Sequence, residues 1–193
     1  MIDSDQALRF RSAGLEAEGQ RRNVTILFAD MVSYTQLAHQ SDDEDLFDVM
    51  QRFISLLVEC VYRYDGMVDK ITGDGIMGLF GAPVAHENNA ERALHAALDM
   101  HSELKTLNAE IRESHQLQLH MRIGVHSGSV IVGRIGSDFL MDYTAIGDTV
   151  NLASRLEGAA EQGTTLVSEQ VYRTTSVLFE FEPVPMLEVK GIQ

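Results

Sequence analysis

Two carboxylates stand where this chain is about to turn. Asp30 follows the apolar run Val24 to Ala29 (VTILFA), and Asp74 lies in the Thr72-Gly73-Asp74 break between the short apolar runs 66–71 and 75–80. Hard divalent cations take oxygen ligands and need them to converge, so the pair has chemistry only if folding brings the two together. Taken singly, Asp30 reads as the start of a loop and Asp74 as an Asx-type turn residue. Asn151 and Arg155 make a second pair. Helical spacing puts this amide and this guanidinium on one face of a segment that Asp148 can cap, although many such pairs are simply solvated.

The elements that must position these residues can be read from periodicity. Val24 to Ala29 is rich in β-branched and aromatic residues and suits a strand buried on both faces. Asp42 to Arg63 carries Leu46, Met50, Phe53, Leu57 and Val61 at helical spacing, with Asp42, Asp43 and Glu44 where a helix N-terminus favours negative charge. Gly66 to Ile71 and Gly75 to Phe80 form a tight hairpin around Asp74. Asn89 to Glu113 is helical again, with Ala93, Ala97, Leu104, Leu107 and Ile111 on one side, and Gln118 to Val125 is a strand. A turn at HSGS then leads to a further strand over Val130 to Ile135, and Gly136 to Met141 is a connection.

The order β, α, β, β, α, β is that of a ferredoxin-like split βαβ unit, an α+β fold with helices on one face of an antiparallel sheet. A right-handed crossover places the end of the first strand beside the hairpin joining the second and third. Neighbouring strands are about 5 Å apart, so if the third strand lies against the first, Asp30 and Asp74 can share cations. Together, on matching ends of paired strands, they favour a metal site over two independent turn residues.

The 193 residues are 45% hydrophobic, enough for one sizeable core. A formal net charge of −14 argues against a nucleic-acid partner, because binding to a phosphate backbone rests on Lys and Arg displacing counterions. It does not exclude a small anion held by local cations and metal ions. Cys60 is the single cysteine and sits in an apolar periodic run, which points to a buried thiol and a cytoplasmic setting. No stretch has the apolar length of a membrane span. Residues 1–21 lack sustained periodicity and read as a linker or N-terminal extension, with the folded domain expected over 22–193.

From Arg22 to Lys190 the sequence resembles the class III adenylyl and guanylyl cyclase catalytic domains. The resemblance is carried by FADMVSYT (28–35), DKITGDGIMGLFG (69–81), RIGVHSGSVIVG (122–133), DYTAIGDTVNLASRLE (142–157) and EVKGI (188–192), in that order. Each segment alone is weak, but the ordered set is specific. The family fold is the same ferredoxin-like core, with a C-terminal extension. The resemblance implies a head-to-tail homodimer with active sites across the interface, ATP as substrate and two Mg²⁺ or Mn²⁺ ions per site. It also implies an upstream sensor or membrane domain in a longer chain.

By this resemblance Asp30 and Asp74 hold the metals and Met31 lends a carbonyl. The segment Met31 to Thr35 offers backbone N–H groups to the triphosphate, and Phe28, Ser33, Tyr34 and Thr35 are the substrate-binding residues implied there. Asn151 orients the ribose, Arg155 stabilises charge at the α-phosphate, and Lys190 reaches the terminal phosphates. Lys70 and Thr144 match the residues that read the base. This pairing favours adenine, since guanine-selective members usually carry glutamate and cysteine there, and it is most like the Lys/Thr subclass. Asp148 is assigned to helix capping and the seven histidines, His126 included, to packing or surface. Ser129 replaces an arginine that some members carry after HSG.

Other functions fit less well. A silent dimerisation module would be expected to lack a metal aspartate or the Asn and Arg pair, and all four residues are present. The GG[DE]EF signature of diguanylate cyclases is absent, as is the GxxxxGK[ST] run of a P-loop NTPase. Guanylyl cyclase activity is the nearest alternative.

Overall fold

The computed structural model describes residues 19–32, 42–115, 117–137 and 140–184. Along the chain, β1 is Gln20–Val32, α1 Asp43–Arg63, β2 Met67–Ile71, β3 Gly75–Phe80, α2 Asn89–His115, β4 His120–Ser137, β5 Leu140–Ile146, α3 Asp148–Ala159, β6 Thr165–Val167 and α4 Glu169–Thr175. The sheet runs β2-β3-β1-β4-β5, with β6 parallel to β4 and the other pairs antiparallel. The first six elements are the βαββαβ unit expected from periodicity, and β3 lies against β1 as the convergence of Asp30 and Asp74 requires.

The central strand β1 is buried on both faces because its side chains alternate between two cores. Leu27, Ala29 and Met31 enter the larger core with Val49, Phe53 and Leu57 of α1 and Ala93, Ala97 and Met100 of α2. Val24 and Ile26 face the other way, with Met77, Leu79, Val130 and Ala153 of α3, and Phe28 packs beside them. Burying each such aliphatic or aromatic side chain contributes about 1.5–3 kcal/mol, so both faces contribute to holding β1 in place. Helices therefore cover both faces of the sheet, where the strand order alone predicts one. The additional layer is α3, which lies beyond the βαββαβ unit.

Two other local expectations change. The HSGS segment is no turn: β4 runs through it as a single strand of 18 residues, and Gly128 meets the side chain of Thr149, whose Oγ1 would stand 2.6 Å from an added Cβ. Its glycine serves close packing of α3. Second, Asp148 is the first residue of α3 rather than its cap, the capping position being Gly147 with φ 153°, and no side-chain cap hydrogen bond is made. Strand β1 also runs from Gln20 to Val32, extending beyond the expected Val24 to Ala29 at both ends, and β5 begins at Leu140 inside the expected connection. Among the described residues no helix is long and apolar enough to cross a membrane.

Candidate active site

The register of β1 sets the first part of the site. Asp30 lies opposite Gly75 of β3 on one side and Arg122 of β4 on the other. Alternation puts it on the same face as Ile26 and Phe28, the face covered by α3. Asp74 precedes β3, and its carbonyl accepts a hydrogen bond from the Met31 N–H at 3.1 Å. The Asp74 carboxylate is near enough to act on the charge of Asp30. Partial burial first, then the Asp74 and Glu157 charges, push the Asp30 carboxyl up to about 6, against the opposing pull of Arg122. Two carboxyls held this close, one of them reluctant to ionise, are a donor set that a divalent cation fits.

Arg122 connects this pair to α3. Its guanidinium lies 3.5 Å from Asp30 and donates to Glu157 at 2.5 Å, and the Glu157 side chain is 12% exposed. Helix α3 comes unusually near the sheet here because Gly124 has no side chain. On its outer side α3 presents Asn151 and Arg155 one turn apart, both exposed and neither with a hydrogen-bond or ion-pair partner among the described residues.

The other polar cluster joins strands at opposite ends of the sheet order. Lys70 of β2 and Thr144 of β5 are within 3.3 Å, although their strands stand at the two ends of the order. Thr144 donates to Asp69 at 2.9 Å, and Lys70 pairs with the same carboxylate at 3.1 Å. Sequence reading placed Lys70 and Thr144 on one task, and the fold brings them together in a single chain. It gave no role to Asp69, Arg122 or Glu157, although all three lie within the motifs that carried the resemblance.

Residues 16–193 match the adenylate and guanylate cyclase catalytic domain family. The chain belongs to that family. Adenylate cyclase 1 of Rhizobium meliloti (strain 1021) is 33% identical over 173 residues, which cover 89% of this chain and 26% of that protein, so the chain spans a minor part of that longer relative. The crystal structure of the adenylyl cyclase CyaB from P. aeruginosa superposes with a TM-score of 0.88 at 32% identity and 91% coverage of each chain. That of the guanylyl cyclase Cya2 does so with a TM-score of 0.87 at 28% identity, covering 91% of this chain and 89% of that one.

Within this cyclase domain, Asp30, Met31 and Asp74 are adjacent at one strand end, Phe28 lies two residues up the same strand face, and Lys70 and Thr144 are in contact. Ser33, Tyr34, Thr35 and Lys190 lie outside the described residues. His126 is bonded through Nδ1 to Ser168 at 2.8 Å, and burial lowers its pKa, which suits the packing role expected for it.

Proposed function

We propose that this domain is an adenylyl cyclase that converts ATP to 3′,5′-cyclic AMP and pyrophosphate at a homodimer interface. The observation that carries the reading is the pair formed by Lys70 and Thr144. A lysine N–H can donate to adenine N1, and a threonine oxygen can accept from the adenine 6-amino group, whereas guanine presents a donor and an acceptor in the reverse order. This is the pattern of the Lys/Thr subclass.

Two Mg²⁺ or Mn²⁺ ions, held by Asp30, Asp74 and the Met31 carbonyl, would supply acidification of the ribose 3′-hydroxyl and neutralisation of the pyrophosphate. The chain's own groups do the positioning. Asn151 orients the ribose, and Arg155 faces the α-phosphate, where charge builds as the 3′-oxygen attacks and pyrophosphate leaves in line. Phe28 and the segment Ser33, Tyr34 and Thr35 border the triphosphate, with Lys190 at its terminal phosphates. Asn151 and Arg155 are exposed and unpaired among the described residues, which fits a role completed by substrate and by a second copy of the chain. The longer relative is compatible with a sensor or membrane domain upstream, and the residues ahead of Gln20, where β1 begins, would then serve as the linker to it.

The test is product identification from purified protein with Mn²⁺, given ATP and GTP side by side. Cyclic AMP as the main product is expected. Mainly cyclic GMP would give the domain to the guanylyl reading, which the likeness to Cya2 keeps in view, and no cyclic product from intact dimers would leave a silent module. Asp30→Ala and Arg155→Ala, each inactive alone, should regain partial activity when mixed, since one interface of the mixed dimer is then whole.

A further inference from the structure

Strand β2 does not alternate regularly. Met67 lies opposite Leu79 and Val68 opposite Gly78, but the register shifts before Lys70, which lies opposite Met77, and Asp69 is the extra residue of a β-bulge. Bulges re-aim side chains, and the consequence here can be followed. Met67 packs with the core on the α3 side of the sheet and Val68 with the core on the α1 and α2 side. Unbroken alternation would send Asp69 to the α3 side and Lys70 to the opposite one. The bulge lets both reach Thr144: Lys70 Nζ at 3.3 Å, and Asp69 Oδ2, which accepts the Thr144 hydroxyl at 2.9 Å.

The Asp69 side chain is fully shielded from solvent, and its Oδ1 has no hydrogen-bond partner among the described residues. A buried carboxylate with one orphaned oxygen is costly, so its retention beside the base-reading pair calls for a gain elsewhere. A threonine hydroxyl is by itself ambiguous, one donor and two lone pairs on a rotor, and it can serve adenine as acceptor or guanine O6 as donor. Where its proton is committed to Asp69 and one lone pair to Lys70, what remains for a ligand is a lone pair.

We propose that Asp69 is a positioning residue for base selection, fixing Thr144 as an acceptor so that the pocket takes the 6-amino group of adenine and refuses the 6-oxo group of guanine. The idea rests on the adenylyl reading above. It adds that adenine selectivity belongs to a triad in which Asp69 never touches the base.

The experiment is the ratio of kcat/KM for ATP to that for GTP, measured on the purified chain with Mn²⁺. Asp69→Ala and the strand-compatible Asp69→Val both remove the acceptor, and whichever stays folded should lose about tenfold of the wild-type ratio, mainly through improved use of GTP. Asp69→Asn keeps an oxygen for Thr144 and should hold the ratio within about threefold, a rescue that a role in balancing the Lys70 charge does not predict. Thr144→Asp in either acceptor-less background supplies an acceptor that cannot donate and should restore the preference for ATP. An unchanged ratio in Asp69→Ala or Asp69→Val, or no rescue by Thr144→Asp, overturns the role of Asp69. If both acceptor-less variants fail to fold, Asp69→Asn decides: an ATP preference that collapses with it gives the effect to charge and overturns the proposal. A wild-type protein that prefers GTP sinks the adenylyl reading instead, which separates the two failures.

Discussion

The backbone N–H of Met31 donates to the carbonyl of Asp74 at 3.1 Å. That one bond ties the end of β1 to the turn between β2 and β3, and so brings Asp30 and Asp74 together. Their proximity is thus a property of the backbone ladder, in which Asp30 faces Gly75 directly, and does not depend on flexible side chains finding each other. A site built this way tolerates little error, because a reacting geometry displaced by an ångström costs about a hundredfold in rate.

Gly75 is the position where that intolerance is easiest to expose. A Cβ there would lie 2.3 Å from the Ala29 carbonyl oxygen and 2.8 Å from Asp30 Oδ1, and the carbonyl belongs to a central strand that cannot swing aside. We expect Gly75→Ala to cost about 1–3 kcal/mol of stability, as overpacking does. Cyclase activity should fall by roughly a hundredfold. Urea denaturation and product assay check the two effects separately, and a variant with wild-type values in both would show that the strand pair gives way more readily than its contacts indicate.

Asp30 should be a liability in the metal-free protein. Its folded pKa of about 6 lies above its ordinary value, so the stability it contributes is complete below about pH 4 and is lost as pH rises through about 6. At neutral pH, Asp30→Asn removes the cost of ionising a carboxyl that is partly buried beside Asp74 and Glu157. In EDTA at pH 7.5 the variant should be more stable than wild type by on the order of 1–2 kcal/mol, and the difference should vanish near pH 4. Thermal unfolding across that range is the measurement. Equal midpoints at pH 7.5 would show that the Asp30 carboxyl is not held above its ordinary range. The same substitution should abolish product formation.

Much of this arrangement was legible in the chain. Period-2 and period-3.6 patterns gave the βαββαβ order, and from it the meeting of Asp30 and Asp74. What failed did so for definite reasons. Gly128 looked like a turn glycine because sequence cannot distinguish a residue that must bend from one that must let Thr149 approach. The role of Asp69 was hidden because a bulge changes which face Lys70 occupies, and a strict alternation puts the two on opposite faces. Arg122 and Glu157 were missed because their contact joins β4 to α3, a helix outside the unit whose packing periodicity revealed.

Cys60 offers a check on the larger core. It is fully buried on α1, and burial, more than the nearby Glu103, pushes its thiol up to about 12. The thiolate is the reactive form, so native protein at pH 8 should not react with a disulfide reagent over the course of an hour. One equivalent should appear promptly in guanidinium chloride. Rapid labelling of the native state would show that α1 opens from the sheet far more readily than its shared core with Ile76 and Phe80 of β3 implies.

Helix α3 should be the element through which sheet packing reaches the proposed reaction chemistry. A Cβ on Gly124 would stand 2.1 Å from the backbone nitrogen of Glu157 and 2.6 Å from the carbonyl oxygen of Ala153, so Gly124→Ala must push α3 away from β4. That displacement carries Asn151 and Arg155 with it and strains the Arg122 to Glu157 contact, whose Glu157 end is largely buried. We expect kcat to fall about a hundredfold, with a loss of about 2–3 kcal/mol in stability. Gly158→Ala, on the same helix with nothing within 4 Å of its added methyl, is the control. It should raise stability by up to about 1 kcal/mol through helix propensity and leave kcat unaltered. A Gly124→Ala enzyme with wild-type kcat would show that Asn151 and Arg155 need not be held at this distance from the sheet, and would remove α3 packing from the account of the site.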